Sequence, residues 1–540
     1  MFMILYRREA AEFFRKLSFC AAFFTLILGS MASADAFQTA LQTRLKALNS
    51  SDSSIVAFYT ERGLKPVWTG SKNRARRDGL IRSLKASVAH GLPAGTYKIA
   101  ELQTALKSRE ASKAAAAEIM ASQVFVDFGR DLNSGVIRPS SADREIAIRP
   151  QVLSSKSLLE YAAKTSPRKF IDGLKPQSSN YAALQKEQSK LIQLAERGRL
   201  GQTVPKAKKY EAGMSGAAIQ ILRNRLISLG YRAGTGALFD PALVAAVKKF
   251  QSDHDLNPDG VVGSSTLTLV NLSVDDRLRS VVVNMERERW LPQARGKRHI
   301  YVNIADARVT VYDGGRASFT SRTVVGKNAK DFRTPEFVDE MTHLVINPTW
   351  HVPASIAGRE YLPILKTDPG YLGRQNMALL NQSGQSVSAS SIDFSQYSEG
   401  NFPYFIKQRP DPGNALGQVK FIFPNQFNVY LHDTPSRSLF NRDYRAYSHG
   451  CIRVHKPVEF AHHLLAKQTN NPKGFYQAQV STKREQYVGL KQPVPVYISY
   501  NTSFRNTSGE VTYRSDFYGR DKRVFNAMTK AGVRLQLQGS

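Results

Sequence analysis

Apolar residues recur at helical spacing through much of residues 35–204, and this pattern predicts a mainly helical domain. The predicted helices are Ala36–Leu48, Arg74–His90 (which ends at Gly91) and Ser154–Ala163. The stretch from Phe58 to Trp68 is predicted as a turn that leads into a strand. No cluster of reactive side chains stands out in this region, so we interpret it as a structural scaffold.

A second helical pattern covers residues 205–273 and predicts a compact module of three short helices. Gly230 is expected to end the first helix, and Asp240 is expected to cap the second. The third helix is predicted over Ser265–Leu272. Residues 274–297 then form a further amphipathic helix and linker, which is expected to return to the scaffold.

From residue 298 the pattern changes to alternation, which predicts a mainly β domain over residues 298–520. The predicted strands are His299–Asn303, Arg308–Asp313, Arg316–Val325, Met341–Ile346, Gln418–Phe423, Asn428–His432, Val494–Tyr500 and Val511–Tyr518. An irregular segment, about residues 348–412, separates the fourth and fifth of these strands, and such long insertions are usually functional or mobile. Residues 521–540 are predicted to be a loosely packed tail. The fold class predicted overall is multidomain α+β.

The first 34 residues have the pattern of a secretory signal peptide. Basic residues precede a short apolar run, Leu17–Leu28, and small residues allow cleavage before Asp35. An uncleaved membrane anchor is the alternative, although the run is shorter than the ~20 residues of a membrane span. The chain has two cysteines, Cys20 and Cys451, so cleavage would leave one thiol in an oxidising compartment. A lone thiol is open to oxidation there, which favours a working role for Cys451 over mere packing.

The formal net charge of +31 and the pI near 10.0 favour a polyanionic partner, such as an acidic wall polymer or anionic lipid. The basic residues are spread along the chain, and no nucleic-acid-binding motif has the required context, so no nucleic acid partner is expected. A basic protein without a specific polyanionic partner is the other interpretation.

The candidate chemistry lies in Asn428–Val454, where Ser448, His449 and Gly450 directly precede Cys451. His432 stands 19 positions before the cysteine. A thiol needs a base to become a nucleophile at neutral pH, and histidine is the usual one. A buried structural cysteine is the alternative for any isolated Cys.

This stretch resembles the active-site signature of the L,D-transpeptidases of bacterial cell-wall assembly. His432, a spacer of fifteen residues and the run from Ser448 to Arg453 carry the resemblance. Within Gly213–Leu272, the order LGY, FD, AVKKFQ and DGVVGSSTL resembles a three-helix peptidoglycan-binding module. Phe58–Trp68 and Asp127–Pro139 resemble parts of the scaffold of the large Gram-negative members. The resemblance implies that the module is inserted in the scaffold and that residues 348–412 form a substrate cap on a β-rich catalytic domain.

The resemblance implies that Cys451 is the nucleophile and His432 its base, with the carbonyl of Asp433 as a candidate acceptor for the other ring nitrogen. The N–H groups of Gly450 and Cys451 are the expected oxyanion donors. His449 is a weaker candidate for a catalytic role, and shaping of the loop is its alternative. A catalytic thiol of this kind is expected to label fast and to have a low pKa.

Four further residues are candidates for substrate binding: Tyr430, Arg453, Ser448 and Trp350. Arg453 is expected to hold a carboxylate of the stem peptide. Tyr430 is expected on the same face as His432, with a core position as its alternative. Trp350 is expected to line the donor groove or to pack in the core of the cap.

The implied reaction acylates Cys451 with the third residue of a peptidoglycan stem tetrapeptide, releases D-alanine and forms a 3→3 cross-link between diaminopimelate residues. Stem peptides and glycan are the expected partners, with other wall-synthesis proteins as candidates, and carbapenems are expected to acylate Cys451. The expected location is the periplasm. Alternatives are an L,D-carboxypeptidase, a transferase that attaches outer-membrane protein to peptidoglycan, and a non-catalytic wall-binding protein.

No cofactor and no metal are expected. His455, Glu459, His462 and His463 cluster in sequence, but they lack the spacing of a zinc peptidase. No Ser-x-x-Lys motif with suitable partners indicates a serine transpeptidase.

Overall fold

The computed structural model describes residues 35–48, 53–196 and 200–535, so the predicted signal peptide lies outside the described residues. The chain is a multidomain α+β protein, as the sequence predicts. In the ranges just given, no helix has both the length and the apolar character needed to cross a membrane.

The scaffold region is built from helices around an apolar core that includes Trp68, Phe125 and Phe170. Its helices are α1 (35–46), α2 (Ser53–Glu61), α3 (Arg74–Ala86), α4 (Ile99–Ala105), α5 (Ala111–Ser134), α6 (Pro139–Ala142), α7 (Ser155–Lys164) and α8 (Ser179–Glu196). After a short 3₁₀ turn, Gly91 takes a left-handed φ of 63° at the end predicted for the second helix.

The predicted strand before Trp68 is wrong. Phe58 belongs to α2, and the described residues between α2 and α3 form turns and a short 3₁₀ segment but no strand. The N–H groups of Val67, Trp68 and Thr69 instead donate to the buried carboxylate of Glu118, over 2.6–3.2 Å. This carboxylate satisfies backbone donors that a neighbouring strand would otherwise have to satisfy.

The module consists of α9 (Ala217–Ser228), α10 (Pro241–Asp253) and α11 (Ser264–Val270), packed around a core of their own. Asp240 caps α10 as predicted, since its carboxylate accepts the N–H of Leu243 at 2.8 Å. Helix α12 (Val274–Trp290) follows at once and packs against α8, so the chain leaves the scaffold, forms the module and returns.

The strands of residues 298–535 lie in two main sheets and a hairpin. They are β1 (Arg298–Asn303), β2 (Arg308–Asp313), β3 (Arg316–Gly326), β4 (Phe337–Ile346), β5 (Trp350–His351), β6 (Met377–Leu380), β7 (Ser386–Val387), β8 (Phe405–Gln408), β9 (Val419–Ile422), β10 (Leu431–His432), β11 (Ala446–Ser448), β12 (Ile452–Val454), β13 (Gln486–Ser499), β14 (Ser503–Arg505) and β15 (Val511–Tyr513). Within this range the large sheet has nine strands in the order β11-β3-β12-β10-β9-β4-β13-β1-β2. Strands β10 and β12, which flank the candidate histidine and cysteine, are parallel neighbours near its middle.

Strands β5, β8, β6 and β7 form a smaller sheet over residues 350–408, inside the segment predicted as the cap. Residues 350–408 also contain α13 (Ala354–Ile356), a π-helical turn (Ala357–Tyr361), α14 (Leu362–Thr367) and α15 (Tyr371–Arg374). Farther along the chain, α16 (Pro457–Leu465) and α17 (Pro472–Ser481) follow the large sheet's strand β12. The smaller sheet and the helices of residues 354–374 share a core of their own, which includes Leu365, Leu379 and Ile406. We call residues 350–408 the cap.

The prediction of a loose tail from residue 521 is wrong, because α18 (Arg520–Lys530) is a packed helix. Val524 and Met528 are fully buried beside Val283 and Trp290 of α12. The guanidinium of Arg520 is also buried, where it donates to Glu145 at 2.9 Å and to the carbonyl of Thr334 at 2.9 Å. The basic sequence of this helix resembled a solvated segment because its acidic partners lie far away along the chain.

Candidate active site

The pairing of β10 with β12 brings the candidate chemistry together. Leu431 pairs with Ile452, His432 pairs with Arg453, and the Ile452 N–H donates to the Tyr430 carbonyl at 3.0 Å. Cys451 directly precedes this pairing and therefore lies beside Tyr430.

His432 is buried, and its Nδ1 lies 2.5 Å from the carbonyl oxygen of Asp433. A carbonyl only accepts hydrogen bonds, so Nδ1 carries the proton and Nε2 keeps its lone pair. Burial lowers the pKa of His432 to about 3, and the positive charge of Arg453 acts in the same direction. The imidazole is therefore neutral at pH 7 and can act as a base through Nε2.

The backbone carbonyl that orients His432 belongs to a rigid acidic residue, Asp433. Its carboxylate accepts the N–H of Gln418 at 2.8 Å and the N–H of Thr434 at 2.6 Å, and it pairs with Arg437. Gly417 has a φ of +61°, and a Cβ placed there would lie 2.3 Å from the carboxyl carbon of Asp433. The sequence motif does not reveal this support, because Gly417 and Asp433 become neighbours only in the folded sheet.

The thiol of Cys451 is half-buried and donates to the carbonyl of Asn428 at 3.6 Å. Burial raises the pKa of Cys451 to about 11, although hydrogen bonds from Tyr430 act to lower it. The same burial, together with the neighbouring Cys451, raises the pKa of Tyr430, so its hydroxyl stays protonated. The expected low thiol pKa is therefore wrong, and both the thiol and the His432 imidazole are neutral in the resting protein.

The loop before the thiol is fixed by its own hydrogen bonds. Gly450 has a φ of +111°, which favours glycine, and its carbonyl accepts the hydroxyl of Thr334 at 2.7 Å. The hydroxyl of Ser448 donates to the Cys451 carbonyl at 2.5 Å and accepts the Gly450 N–H at 3.3 Å. Ser448 is also buried, so its predicted contact with substrate is corrected to a role in shaping the loop.

These bonds distinguish the two predicted oxyanion donors. The Gly450 N–H is occupied by Ser448, whereas the Cys451 N–H has no acceptor among the described residues. The role of the Gly450 N–H as an oxyanion donor stays a prediction, and the Cys451 N–H is the free one.

Residues 297–496 match the family model of the L,D-transpeptidase catalytic domain. The chain carries an L,D-transpeptidase catalytic domain. Residues 53–187 match a scaffold domain, and residues 215–270 match the model described as "Putative peptidoglycan binding domain". The predicted family resemblance is thereby confirmed, and these matches support an enzyme that acts on peptidoglycan.

A curated protein of Haemophilus influenzae, named "Putative L,D-transpeptidase", is 32% identical over 246 residues. The match covers 46% of this chain and 49% of that protein, so the chain spans about half the length of this curated relative. Among solved structures, an L,D-transpeptidase of Stackebrandtia nassauensis has 14% identity and a TM-score of 0.23, with 55% of this chain and 98% of that chain covered. One of Xylanimonas cellulosilytica has 14% identity and a TM-score of 0.17, with 54% and 98% covered.

Two predicted site residues of the L,D-transpeptidase domain, His449 and Trp350, make side-chain contacts with residues of the cap. Nε2 of His449 pairs with Glu360 on the π-helical turn, and its ring lies edge-on to Phe332 with centroids 4.8 Å apart. Trp350 packs with Tyr361 at the core of the cap, with centroids 6.3 Å apart. Of the two positions open for Trp350, the structure shows packing in the cap, and His449 ties the loop before Cys451 to the cap.

A cation that the sequence motif did not reveal lies beside the site. Lys420 on β9 pairs directly with His432 on β10, just as Arg453 does from β12. Burial lowers the pKa of both Lys420 and Arg453, while the proximity of Cys451 acts in the opposite direction. The alternation of β9 predicts a strand, but its register with β10 depends on the folded sheet.

Proposed function

We propose that this protein is an L,D-transpeptidase that uses Cys451 to transfer the third residue of a peptidoglycan stem tetrapeptide to an amine. The observation that carries the proposal is the tautomer of His432. Its Nδ1 proton is held by the Asp433 carbonyl, which leaves Nε2 as a base on the strand beside Cys451.

In the first half-reaction, the thiol proton of Cys451 passes to Nε2 of His432 as the sulfur attacks the carbonyl carbon of the third stem residue. The new S–C bond gives a tetrahedral oxyanion. His432 then gives its Nε2 proton to the nitrogen of D-alanine, the C–N bond breaks, and a thioester remains on Cys451. A neutral thiol beside a neutral imidazole suits this order, because the proton moves only as the nucleophile attacks.

In the second half-reaction, the side-chain amine of diaminopimelate in a neighbouring stem attacks the thioester. His432 takes a proton from this amine and returns it to the sulfur as the thioester breaks. The product is a 3→3 cross-link, and Cys451 is a thiol again. Water in place of the amine gives a carboxypeptidase, and an amine of a protein gives tethering of that protein to the wall.

The oxyanion needs donors that are already in position before the reaction. The Cys451 N–H is free of other acceptors among the described residues, and the Tyr430 hydroxyl is a protonated donor at the sulfur. Loss of one oxyanion donor typically raises the barrier by about 3 kcal/mol. We therefore propose the Cys451 N–H as the main donor, with Tyr430 as its neighbour.

The substrate we propose fits the rest of the chain. The peptidoglycan-binding domain match and the net charge of +31 both suit an acidic wall polymer. A periplasmic location and other wall-synthesis proteins as partners are part of the same proposal. Carbapenems, whose strained ring is an acyl donor, are expected to acylate Cys451.

The test is incubation of the purified protein with disaccharide-tetrapeptide, followed by mass spectrometry of the products. A cross-linked dimer that has lost one D-alanine, formed by wild type and absent with Cys451→Ala, is the expected result. Tripeptide alone would identify hydrolysis as the activity and would contradict transpeptidation. Lack of any Cys451-dependent product would favour a non-catalytic wall-binding protein.

A further inference from the structure

Lys420, His432 and Arg453 form a row across one face of the central sheet. Lys420 on β9 and Arg453 on β12 each pair directly with His432 on β10, one from each side. Directly paired residues on neighbouring strands project from the same face, with Cβ atoms about 5 Å apart. Cys451 lies two residues before Arg453, and the charges of both cations act on its thiol.

The cations of this row have no anionic partner among the described residues. The Nε of Arg453 is buried without any hydrogen-bond partner. Glu485 is the carboxylate that acts on Lys420, but its oxygens accept the Thr349 N–H and the Tyr487 hydroxyl. A partly buried cation without a partner is unfavourable, so the row is completed when an anion binds.

The proposed reaction determines which carboxylate of the stem comes closest to this row. His432 must give its proton to the leaving nitrogen, so that nitrogen lies at Nε2. In an amino acid, one Cα separates the nitrogen from the carboxylate carbon, which keeps them about 2.5 Å apart. The carboxylate of the leaving residue is therefore held within a few ångströms of His432, whereas the diaminopimelate carboxylate is not restrained in this way.

We propose that Lys420 and Arg453 bind the terminal carboxylate of the leaving D-alanine and so select donor stems that end at the fourth residue. This inference rests on the proposed function and adds a substrate-binding residue, Lys420, to it. A pentapeptide stem would carry its carboxylate about 3.5 Å farther along the chain, where the two cations cannot hold it in the same position.

Another role for the same cations would be purely electrostatic. Both act to lower the pKa of Cys451, so they would favour the thiolate whether or not they touch substrate. The two roles differ in one respect: only binding depends on the negative charge of the terminal carboxylate.

The test compares disaccharide-tetrapeptide with the same compound ending in D-alaninamide, by the rate of Cys451 acylation. Wild type is expected to prefer the acid by about ten- to a hundredfold in kcat/KM, mostly through KM. Lys420→Met should reduce this preference about tenfold, through a larger loss on the acid than on the amide, and Lys420→Arg should restore it. Lys491→Met, at an exposed lysine of β13, is the matched control and should keep the wild-type preference.

A binding measurement makes the inference independent of turnover. In Cys451→Ala protein, calorimetry should show tighter binding of the acid than of the amide, and adding Lys420→Met should abolish the difference. Equal binding of the two compounds, or a preference that survives Lys420→Met, overturns the inference even where D-alanine release is normal. An equal loss on acid and amide, with a shifted thiol titration, would identify the electrostatic role instead. Lack of Cys451-dependent release together with a clear acid preference in binding would overturn the proposed function but support the carboxylate site.

Discussion

Burial determines the resting charge of the two residues proposed to carry the chemistry. His432 is buried and Cys451 is half-buried, and burial moves the thiol pKa to about 11 and the imidazole pKa to about 3. Both groups are therefore neutral across the physiological range. This favours attack with general-base help over a preformed thiolate–imidazolium pair.

The pH profile of the reaction should follow from the depressed pKa of His432. Protonation of Nε2 removes the base, so kcat/KM falls as pH drops through the folded-state pKa. We expect the acid limb to lie well below the ordinary histidine value of about 6.5. A profile of D-alanine release against pH measures it, and a midpoint near 6.5 would contradict the buried neutral imidazole.

Gly417→Ala should damage the support of His432 without touching the reacting atoms. The new Cβ would meet the Asp433 carboxyl carbon at 2.3 Å, which displaces the residue whose carbonyl holds Nδ1. We expect a lower kcat with unchanged labelling of Cys451 by a thiol reagent. Gly384→Ala shares the left-handed φ but has no atom within 4 Å, so it should lose only about 1 kcal/mol of stability and no activity.

For single residues, the sequence predicted which side chains are candidates for the site better than it predicted their surroundings. The order of His432 and Cys451 in the motif was sufficient to nominate both residues, and the Asp433 carbonyl was expected as the partner of Nδ1. Lys420 and Gly417 were missed, because register and close approach depend on strands that meet only in three dimensions. The thiol pKa was expected in the wrong direction, because burial cannot be judged from neighbours in sequence.

The loop of residues 448–451, which presents Cys451, is an element whose shape depends on a residue of another segment, Thr334. Its hydroxyl accepts the Gly326 N–H at 2.9 Å at the end of β3 and donates to the Gly450 carbonyl at 2.7 Å. Tyr518 and Arg520 hold the backbone of the same threonine. The loop that presents Cys451 is therefore tied to β3 and to α18.

Thr334→Val should test this tie, because valine keeps the shape and removes both hydrogen bonds. We expect a loss of about 1–3 kcal/mol in the free energy of unfolding and a reduced rate of acylation. Thr323→Val on β3 is the matched control, since the Thr323 hydroxyl is buried without a hydrogen-bond partner. Urea unfolding and acylation kinetics of the two variants give the answer; equal effects would argue against a specific role of Thr334.

Helices and strands with a strong hydrophobic period were predictable from the sequence. Segments held by hydrogen bonds or ion pairs to residues far away along the chain were not. The capped helix α10 and strands β1 to β3 follow directly from local pattern. The segment around Trp68 and helix α18 were misjudged, because Glu118 and the acidic partners of Arg520 lie 50 or more residues away.

In the whole molecule, the module is docked on the catalytic domain through its own backbone and one carboxylate. Asp255, which follows α10, accepts Arg445 at 2.8 Å and Arg308 at 2.5 Å, and the Asn257 N–H donates to Asp443 at 2.9 Å. Arg445 directly precedes β11, the strand that leads into the loop that presents Cys451. The module and the loop that presents Cys451 are thus held in a fixed geometry.

Asp255→Asn should weaken this docking by about 3 kcal/mol, because it leaves two partly buried guanidinium groups without their carboxylate. Calorimetry should then show the module unfolding earlier than the rest of the chain. Glu211→Gln, which removes an exposed ion pair within the module, should leave the transition unchanged. A single unshifted transition for Asp255→Asn would show that the contact does not hold the domains together.

The most direct test of the proposed reaction is the mass of the acyl-enzyme formed in the first half-reaction. Protein mixed briefly with disaccharide-tetrapeptide is quenched in acid, and its intact mass is measured before the adduct is mapped by peptide sequencing. The expected gain in mass equals the donor minus one D-alanine, and it is located on Cys451 and absent in Cys451→Ala. An adduct on any other residue, or D-alanine release without an adduct on Cys451 under conditions that trap thioesters, would contradict it.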